Sequence, residues 1–352
     1  MSKKGGSKSK KAIVTILIVL VALAAIVFIG ARIYFRAPVS NYYKVSEKAF
    51  VIPGLLNNLV PQGLDYVEDE QIYLVGGYQK DGSPSRVYRV DKNTGKTNGY
   101  VVLGDADGNG VAPHAGGLAA HGNYLFVAGD ADACLYVYEL SDVLHADSGE
   151  TVKMVEKFPT KFGNDEINVA FVCFSDEGLI VGEFYRVPNY VTPDSHIVNT
   201  STGEENHALA LCYRFSNGKN SICGIETTPF KAYSLPGLVQ GMAVKDGIIW
   251  LSQSYGTATS TISCYTLTNT DPVLAWSYYY RSEDREESLY LPVYALDSGT
   301  RISSFDAPPM AEEIIFVDDR MLIMSESASN KYFFGNLTGG RWCYATDVYQ
   351  LT

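Results

Sequence analysis

Residues 61–96 read PQGLDYVEDEQIYLVGGYQKDGSPSRVYRVDKNTGK. The stretch opens on Pro61-Gln62-Gly63-Leu64-Asp65, passes an acidic turn and enters QIYLVGGY at 71–78. A Gly/Ser/Pro loop leads to SRVYRV at 85–90, and an Asp-Lys-Asn-Thr-Gly turn closes it. Runs of β-branched and aromatic residues bounded by Gly, Asp, Asn and Ser read as short strands, not as helix. The same shape returns four times. His114-Ala115-Gly116-Gly117-Leu118 leads into NYLFVAGD and CLYVYEL; Asn168-Val169-Ala170-Phe171 leads into GLIVGEFY and, after an insertion, LALCYRF. Val239-Gln240-Gly241-Met242-Ala243 leads into IIWLSQSYG and TISCYTL; Pro309-Met310-Ala311-Glu312-Glu313-Ile314 leads into RMLIMSES and KYFFG.

Each repeat reads as strand, turn, strand, loop, strand, which is a four-stranded propeller blade with a variable outer strand. With Gln62, Gly116, Ala170, Gln240 and Glu313 taken as equivalent, the spacings are 54, 54, 70 and 73 residues. A parallel sheet would need helices between strands, and none is evident. The expectation is an all-β chain, a five-bladed β-propeller over residues 51–352 preceded by one N-terminal transmembrane helix. Six blades are the alternative, with a unit hidden in 185–235 or 278–305. The segment 42–52, YYKVSEKAFVI, is suited to the outer strand of the last blade, which would remove the open sheet edges.

The composition supports burial: 46% of the 352 residues are hydrophobic, too many for a disordered chain. Charge divides the chain. Residues 1–40 hold seven cations and no acid, which leaves 21 cations against 39 acids in the remainder. So acidic a body is a poor nucleic-acid binder. Residues 12–31 carry no charge. At ~1.5 Å per residue they span roughly 30 Å, the thickness of the hydrocarbon core. The expected order is a cytoplasmic basic tail at 1–11, a transmembrane signal anchor at 12–35, and a stalk at 36–50 leading into the ring seam. Five lysines before the run and two arginines after it orient a single-pass protein in the cell membrane, its C-terminal body extracytoplasmic. Ala22-Leu23-Ala24 also has the form of a signal-peptidase site, so a cleaved signal stays open beside the retained anchor.

Six cysteines allow fifteen full pairings. Cys212 and Cys223 flank an Asn217-Gly218 turn, where a cross-hairpin disulfide and two free thiols both fit. The other four sit in apolar contexts suited to buried thiols. No C-x-x-C pair occurs.

In a propeller the inner strands line the axis, and second strands return to the same mouth. The candidate ligand-binding residues at that mouth are Gln62, His114, Asp130, Glu183, Gln240, Gln253, Glu313 and Glu326. Carboxylates, amides and an imidazole together suit a cation, a divalent metal or a polyhydroxylated ligand. The same side chains also suit hydrogen bonds that lock one blade to the next. Asp105, Asp107 and Asn109 fit the opening of a calcium loop, but the twelfth position is Gly116 where a glutamate belongs. A plain Asp/Gly turn is the competing reading. The cofactor expectation is therefore Ca2+ or another divalent metal, or none. No G-x-S-x-G, H-E-x-x-H or Walker motif occurs. His121, His145, His196 and His207 show no metal spacing and read as solvated loop histidines. Ser282–Glu287 reads as a solvated acidic loop tip and Tyr278–Tyr280 as strand.

The openings PQGLDY, HAGGL, VQGMAV and PPMAEEI resemble those of uncharacterised exported propeller-like proteins of Gram-positive bacteria, a group that brings no known activity. A looser similarity is to the five-bladed glutaminyl cyclases. Gln62-Gly63-Leu64, Gly77-Tyr78 and Asp91-Lys92-Asn93-Thr94-Gly95-Lys96 echo their first blade. The N-E-L-E-Y carboxylate segment of those enzymes has no match, so the resemblance implies the fold and not the catalysis. The acid and amide ligands around the axial metal of gluconolactonase-type propellers match in general character only. The resulting expectation is a membrane-anchored propeller that binds a small molecule, or a protein or glycan partner, at its axial mouth. A propeller enzyme is the alternative, either cyclase-like in aminoacyl transfer or a metal-dependent lactonase or hydrolase. An envelope scaffold is a third reading.

Overall fold

The computed structural model describes residues 5–129, 133–163, 165–281, 286–332 and 335–352. After the N-terminal helix α1 (Gly5–Arg36) the chain is mostly β. Its strands form successive antiparallel ladders, each built as a meander from an inner to an outer strand. Unit 1 consists of Leu59–Val67, Ile72–Gln79, Arg86–Asp91 and Thr97–Gly104. Unit 2 consists of Leu118–His121, Tyr124–Ala128, Cys134–Glu139 and Thr151–Pro159. A short parallel pairing of Val102–Gly104 with Thr151–Lys153 joins their outer strands into one eight-stranded sheet. Unit 3 runs Val169–Ser175, Gly178–Glu183, Ala208–Arg214 and Lys231–Leu235; unit 4 runs Val239–Lys245, Ile248–Gln253, Ser260–Thr266 and Arg301–Ala307. Unit 5 has Ala311–Val317, Arg320–Ser325 and Trp342–Thr346, and its outer strand is Ser46–Val51 from the other end of the chain.

The inner strands neighbour one another in cyclic order, unit 5 returning to unit 1. A hydrophobic cluster fills each gap between successive ladders. In the gap from unit 5 to unit 1, Phe50 stacks on Tyr73 at 5.0 Å and packs with Leu64, Leu322 and Cys343. Face-to-face stacking of twisted antiparallel sheets around an axis is the β-propeller fold. The pairing of Ser46–Val51 with Trp342–Thr346 satisfies the backbone of both chain ends and removes a free edge.

Two segments differ from the sequence reading. Leu274–Arg281 pairs antiparallel with Glu286–Ala295, and the second of these strands pairs in parallel with Lys231–Leu235 of unit 3. This segment, where a sixth unit could have been hidden, extends an existing sheet. The stretch expected to be a stalk is packed: Val39 and Tyr42 are fully buried between units 4 and 5. The Ser282–Glu287 loop tip lies largely outside the described residues.

The cysteines are free. Cys212 faces the cluster between units 3 and 4, whereas Cys223 packs on the cluster between units 2 and 3. Of the two readings left open by the sequence, the free thiols hold and the cross-hairpin disulfide is not formed, because the two side chains pack on different clusters. Within α1, the 27-residue stretch Lys10–Arg36 contains an 18-residue window with mean hydropathy 3.3, none of it buried in the body. It is long and apolar enough to cross a membrane.

Candidate functional site

Units 1, 3, 4 and 5 share one device at the start of the inner strand. The ladder slips by a residue between Pro61 and Gly63, Val169 and Phe171, Val239 and Gly241, and Ala311 and Ile314. A β-bulge leaves a residue unpaired and re-aims its side chain. The bulged positions are Gln62, Ala170, Gln240 and Glu312, and all four line one cavity at the mouth of the ring. In unit 2 the corresponding residue is Gly116, preceded by Ala115 in the left-handed region at φ 51°. A Cβ on Gly116 would lie 2.2 Å from the Ala170 carbonyl oxygen, so that contact demands glycine. Long side chains at units 1, 4 and 5 against glycine and alanine at units 2 and 3 make the cavity lopsided. Residues at the ends of the second strands also point inward: Tyr78, Phe184, Ser254 and Glu326 line the same space. The cavity measures about 980 Å³, and residues 189–193 of the unit 3 insertion form part of its wall.

Its polar centre is a chain of hydrogen bonds. Glu326 accepts from Gln62 Nε2 at 2.9 Å and from the Tyr332 hydroxyl at 2.7 Å. Gln62 Oε1 accepts from His114 Nε2 at 2.9 Å, which sets that imidazole's tautomer. The His114 ring lies 4.7 Å from that of Tyr78, whose hydroxyl accepts from Lys331. Glu312 is 2% exposed beside this chain. Burial, then the charges of Glu326 and Glu313, pushes its carboxyl well above the usual carboxylate range. Burial raises Glu326 as well, against the opposing pull of Tyr332, Lys331 and Gln62. Two enclosed carboxyls that disfavour each other's charge are poised to hold one proton or to meet a cation.

The expected mouth residues divide into two groups. Gln62, His114, Glu183, Gln240 and Glu326 line the cavity. Glu313 does not; it corresponds to Gly63 and Gly241, one residue past the bulge. A one-residue shift turns a strand side chain to the other side, and Glu313 projects into the axial core, where it accepts from the Leu118 N–H at 3.3 Å. The mouth carboxylate of unit 5 is Glu312. Gln253 is also turned away: its Nε2 donates to the Gly237 carbonyl at 3.0 Å, and its Oε1 accepts from Ser263 at 3.4 Å. Glu183 touches the cavity, but its carboxylate is spent. It accepts from the Leu209 N–H at 3.0 Å and from His196 Nδ1 at 2.9 Å. His196, read from the sequence as a solvated loop residue, is fully buried in this pair. Asp130 lies outside the described residues.

At the calcium-loop candidate, Asp105 Oδ1 accepts from the backbone N–H of Asp107 and of Asn109, at 3.0 and 2.8 Å. Its Oδ2 accepts from Asn109 Nδ2 at 3.1 Å, and these bonds hold its carboxyl below the usual range. The geometry is an Asp-stabilised turn. Among the described residues no group of three His, Cys, Asp or Glu is arranged to hold a metal ion. Sequence reasoning missed Glu312, Lys331, Tyr332, Tyr190 and Tyr255. The signal for Glu312 was present, since Ala311-Glu312 aligns with Pro61-Gln62 and Val239-Gln240 once the bulge is counted.

No protein-family model matches the chain, and no curated protein matches it by sequence. No sequence-family relationship accompanies the resemblance to exported Gram-positive propellers. Among solved structures, glutaminyl cyclase of Myxococcus xanthus is 11% identical, with a TM-score of 0.40 over 86% of this chain and 94% of that one. BamB of Moraxella catarrhalis is 8% identical, with a TM-score of 0.34 over 81% and 85%. Hydrazine synthase of Kuenenia stuttgartiensis is 10% identical, with a TM-score of 0.36 over 76%; the chain spans 56% of that one. These proteins are propeller-like and differ in function, and the overlaps are too loose for residue-level correspondence.

Proposed function

We propose that this chain is a membrane-anchored, five-bladed propeller that binds a small cationic, amine-bearing ligand in its axial cavity. The observation that carries this reading is the lining. Among the described residues, Asp165, Glu166, Glu312 and Glu326 face a single lysine, Lys331, across a cavity rimmed by Tyr78, Phe184, Tyr190, Tyr255 and Tyr332, while the Glu183 carboxylate is taken up by His196 and the Leu209 N–H. Carboxylates offer charge and hydrogen-bond acceptors, and aromatic faces attract cations, by about 0.5–2 kcal/mol each. A volume near 980 Å³ suits a drug-sized or smaller molecule. Five blades, not six, is supported by the order of the ladders and by the docking of residues 274–295 on unit 3. Five lysines before α1's apolar run and two arginines after it support a cytoplasmic N-terminus, with the ring outside.

The test is a thermal-shift panel of primary and quaternary amines, polyols and divalent ions on the full chain in lipid nanodiscs, with Glu326→Gln alongside. Stabilisation by amines that is lost in Glu326→Gln supports the reading. Stabilisation by polyols or divalent ions alone, or by nothing, overturns it. A second reading rests on Glu312, a buried carboxyl near the Gln62–His114 pair whose burial pushes its pKa up, the direction a general acid requires. Turnover of an amine-bearing substrate that disappears in Glu312→Gln would favour that enzyme over a receptor.

A further inference from the structure

Three observations converge on the face of the ring that carries the cavity. First, α1 leaves the body there. Its element neighbour in the body is the short helix Gly335–Thr338, which belongs to the mouth-side connection of unit 5. The same connection supplies Glu326, Lys331 and Tyr332 to the cavity. Second, there is no slack. The Arg36 guanidinium lies 3.9 Å over the Tyr43 ring, and the Tyr43 hydroxyl donates to the Thr338 carbonyl at 3.5 Å. Three residues separate Arg36 from the helix Ser40–Lys44, whose Tyr42 is buried with Val39. Three residues reach at most about 10 Å. Third, apolar side chains stand exposed around the mouth: Leu56 at 81%, Tyr190 at 52%, Val191 at 64% and Tyr255 at 43%.

We propose that the mouth face of the ring lies on the surface of the bilayer that α1 spans, with Leu56 and the Tyr190–Val191 loop set into its headgroup layer. The inference rests on the reading of α1 as a membrane anchor. Arg32 and Arg36, at the end of the apolar stretch, mark the interface depth. The tight connection then holds the mouth rim at that level, and exposed tyrosine and aliphatic side chains are those that gain from an interface. The cavity consequently opens on the headgroup layer, and its ligand arrives along the membrane.

The experiment uses the full chain in phosphatidylcholine vesicles containing a nitroxide-labelled lipid. An environment-sensitive fluorophore is attached through Leu56→Cys, Val191→Cys or, on the opposite face, Tyr349→Cys, itself 53% exposed in the parent. Burial raises the pKa of native Cys173, Cys212 and Cys343, which slows their labelling, and the unsubstituted chain supplies the background. The expected result is nitroxide quenching at positions 56 and 191 at least about twofold stronger than at 349. Equal quenching at the three positions, or stronger quenching at 349, overturns the proposal while leaving the anchor intact. Quenching at 191 that depends on protein density and not on nitroxide lipid identifies a second copy of the chain on this face, and overturns it as well. If the chain fails to float with the vesicles, the anchor reading falls and the proposal with it.

Discussion

At the scale of single residues, the axial core is an electrostatic compromise. Asp65 accepts from the Ala120 N–H, and Glu313 from the Leu118 N–H, so side chains of units 1 and 5 both hold unit 2. Burial raises both carboxyls, Asp65 to about 7 and Glu313 well above its ordinary value, and the Asp65 charge adds to the rise at Glu313. A carboxyl whose folded pKa is raised binds more protons folded than unfolded. Stability therefore falls as pH rises from the unfolded value near 4 through the folded one, and levels off above it. For Asp65 that window runs from 3.8 to about 7. Asp65→Asn removes this penalty while keeping an acceptor. The variant is expected to be more stable than the parent at pH 8, on the order of 2 kcal/mol, and nearly equal to it at pH 4. Melting temperatures across that range check this; a difference that does not change with pH contradicts it.

At the scale of elements, the ring depends on its seam. Phe50 sits in the strand that unites the chain ends and is buried against Tyr73. Phe50→Ala should cost about 3–5 kcal/mol, as large-to-small core substitutions do. Leu56→Ala, six residues on and exposed, should stay within about 0.5 kcal/mol. Chemical denaturation of the two variants distinguishes a load-sharing seam from an ornamental one. The seam was legible in the sequence, since the last repeat lacks a fourth strand and the segment 42–52 precedes the first inner strand. The repeated openings were legible because Gln62, Gln240 and the 311–314 segment each precede a turn and an apolar second strand, Ile72–Gln79, Ile248–Gln253 and Arg320–Ser325. What the sequence concealed is geometric. The bulge that makes Glu312 and not Glu313 the equivalent of Gln62 is a matter of one residue in a doubled glutamate. Gln253 points away from the mouth because strand side chains alternate, and Glu183 lines the cavity with a carboxylate already bound to His196 and the Leu209 N–H, so the residues that follow them, Phe184 and Ser254, supply the inward side chains. His196 was misjudged because its partner, Glu183, is supplied by a different segment and its burial by Phe162 and the surrounding core.

At the scale of the whole molecule, the charge division in the sequence acquires a shape. From Gly5 on, the basic and apolar residues form one helix, and the acidic remainder forms a ring whose mouth gathers carboxylates and aromatic rings. The helix joins that ring beside the mouth, through a connection that also builds the cavity wall. Helix and site are thus mechanically one. Glycine substitution of Ala37 and Pro38 should loosen this joint without unfolding the body, and the account predicts an unchanged melting transition with weaker fluorophore quenching at position 191. A lowered melting temperature would mean that the joint contributes to the fold itself.

The central claim is that the raised-pKa carboxyls Glu312 and Glu326 form the binding site for a cationic ligand. It is tested most directly by titration calorimetry of the full chain in nanodiscs with the best amine from the thermal-shift panel, between pH 5 and pH 8, for the parent and Glu326→Gln. Because those carboxyls hold protons above the usual range, affinity should strengthen as pH rises and they ionise. Glu326→Gln should weaken binding at pH 8 by about tenfold or more, the equivalent of about 1.4 kcal/mol. An affinity that is flat with pH and indifferent to Glu326→Gln would contradict the account.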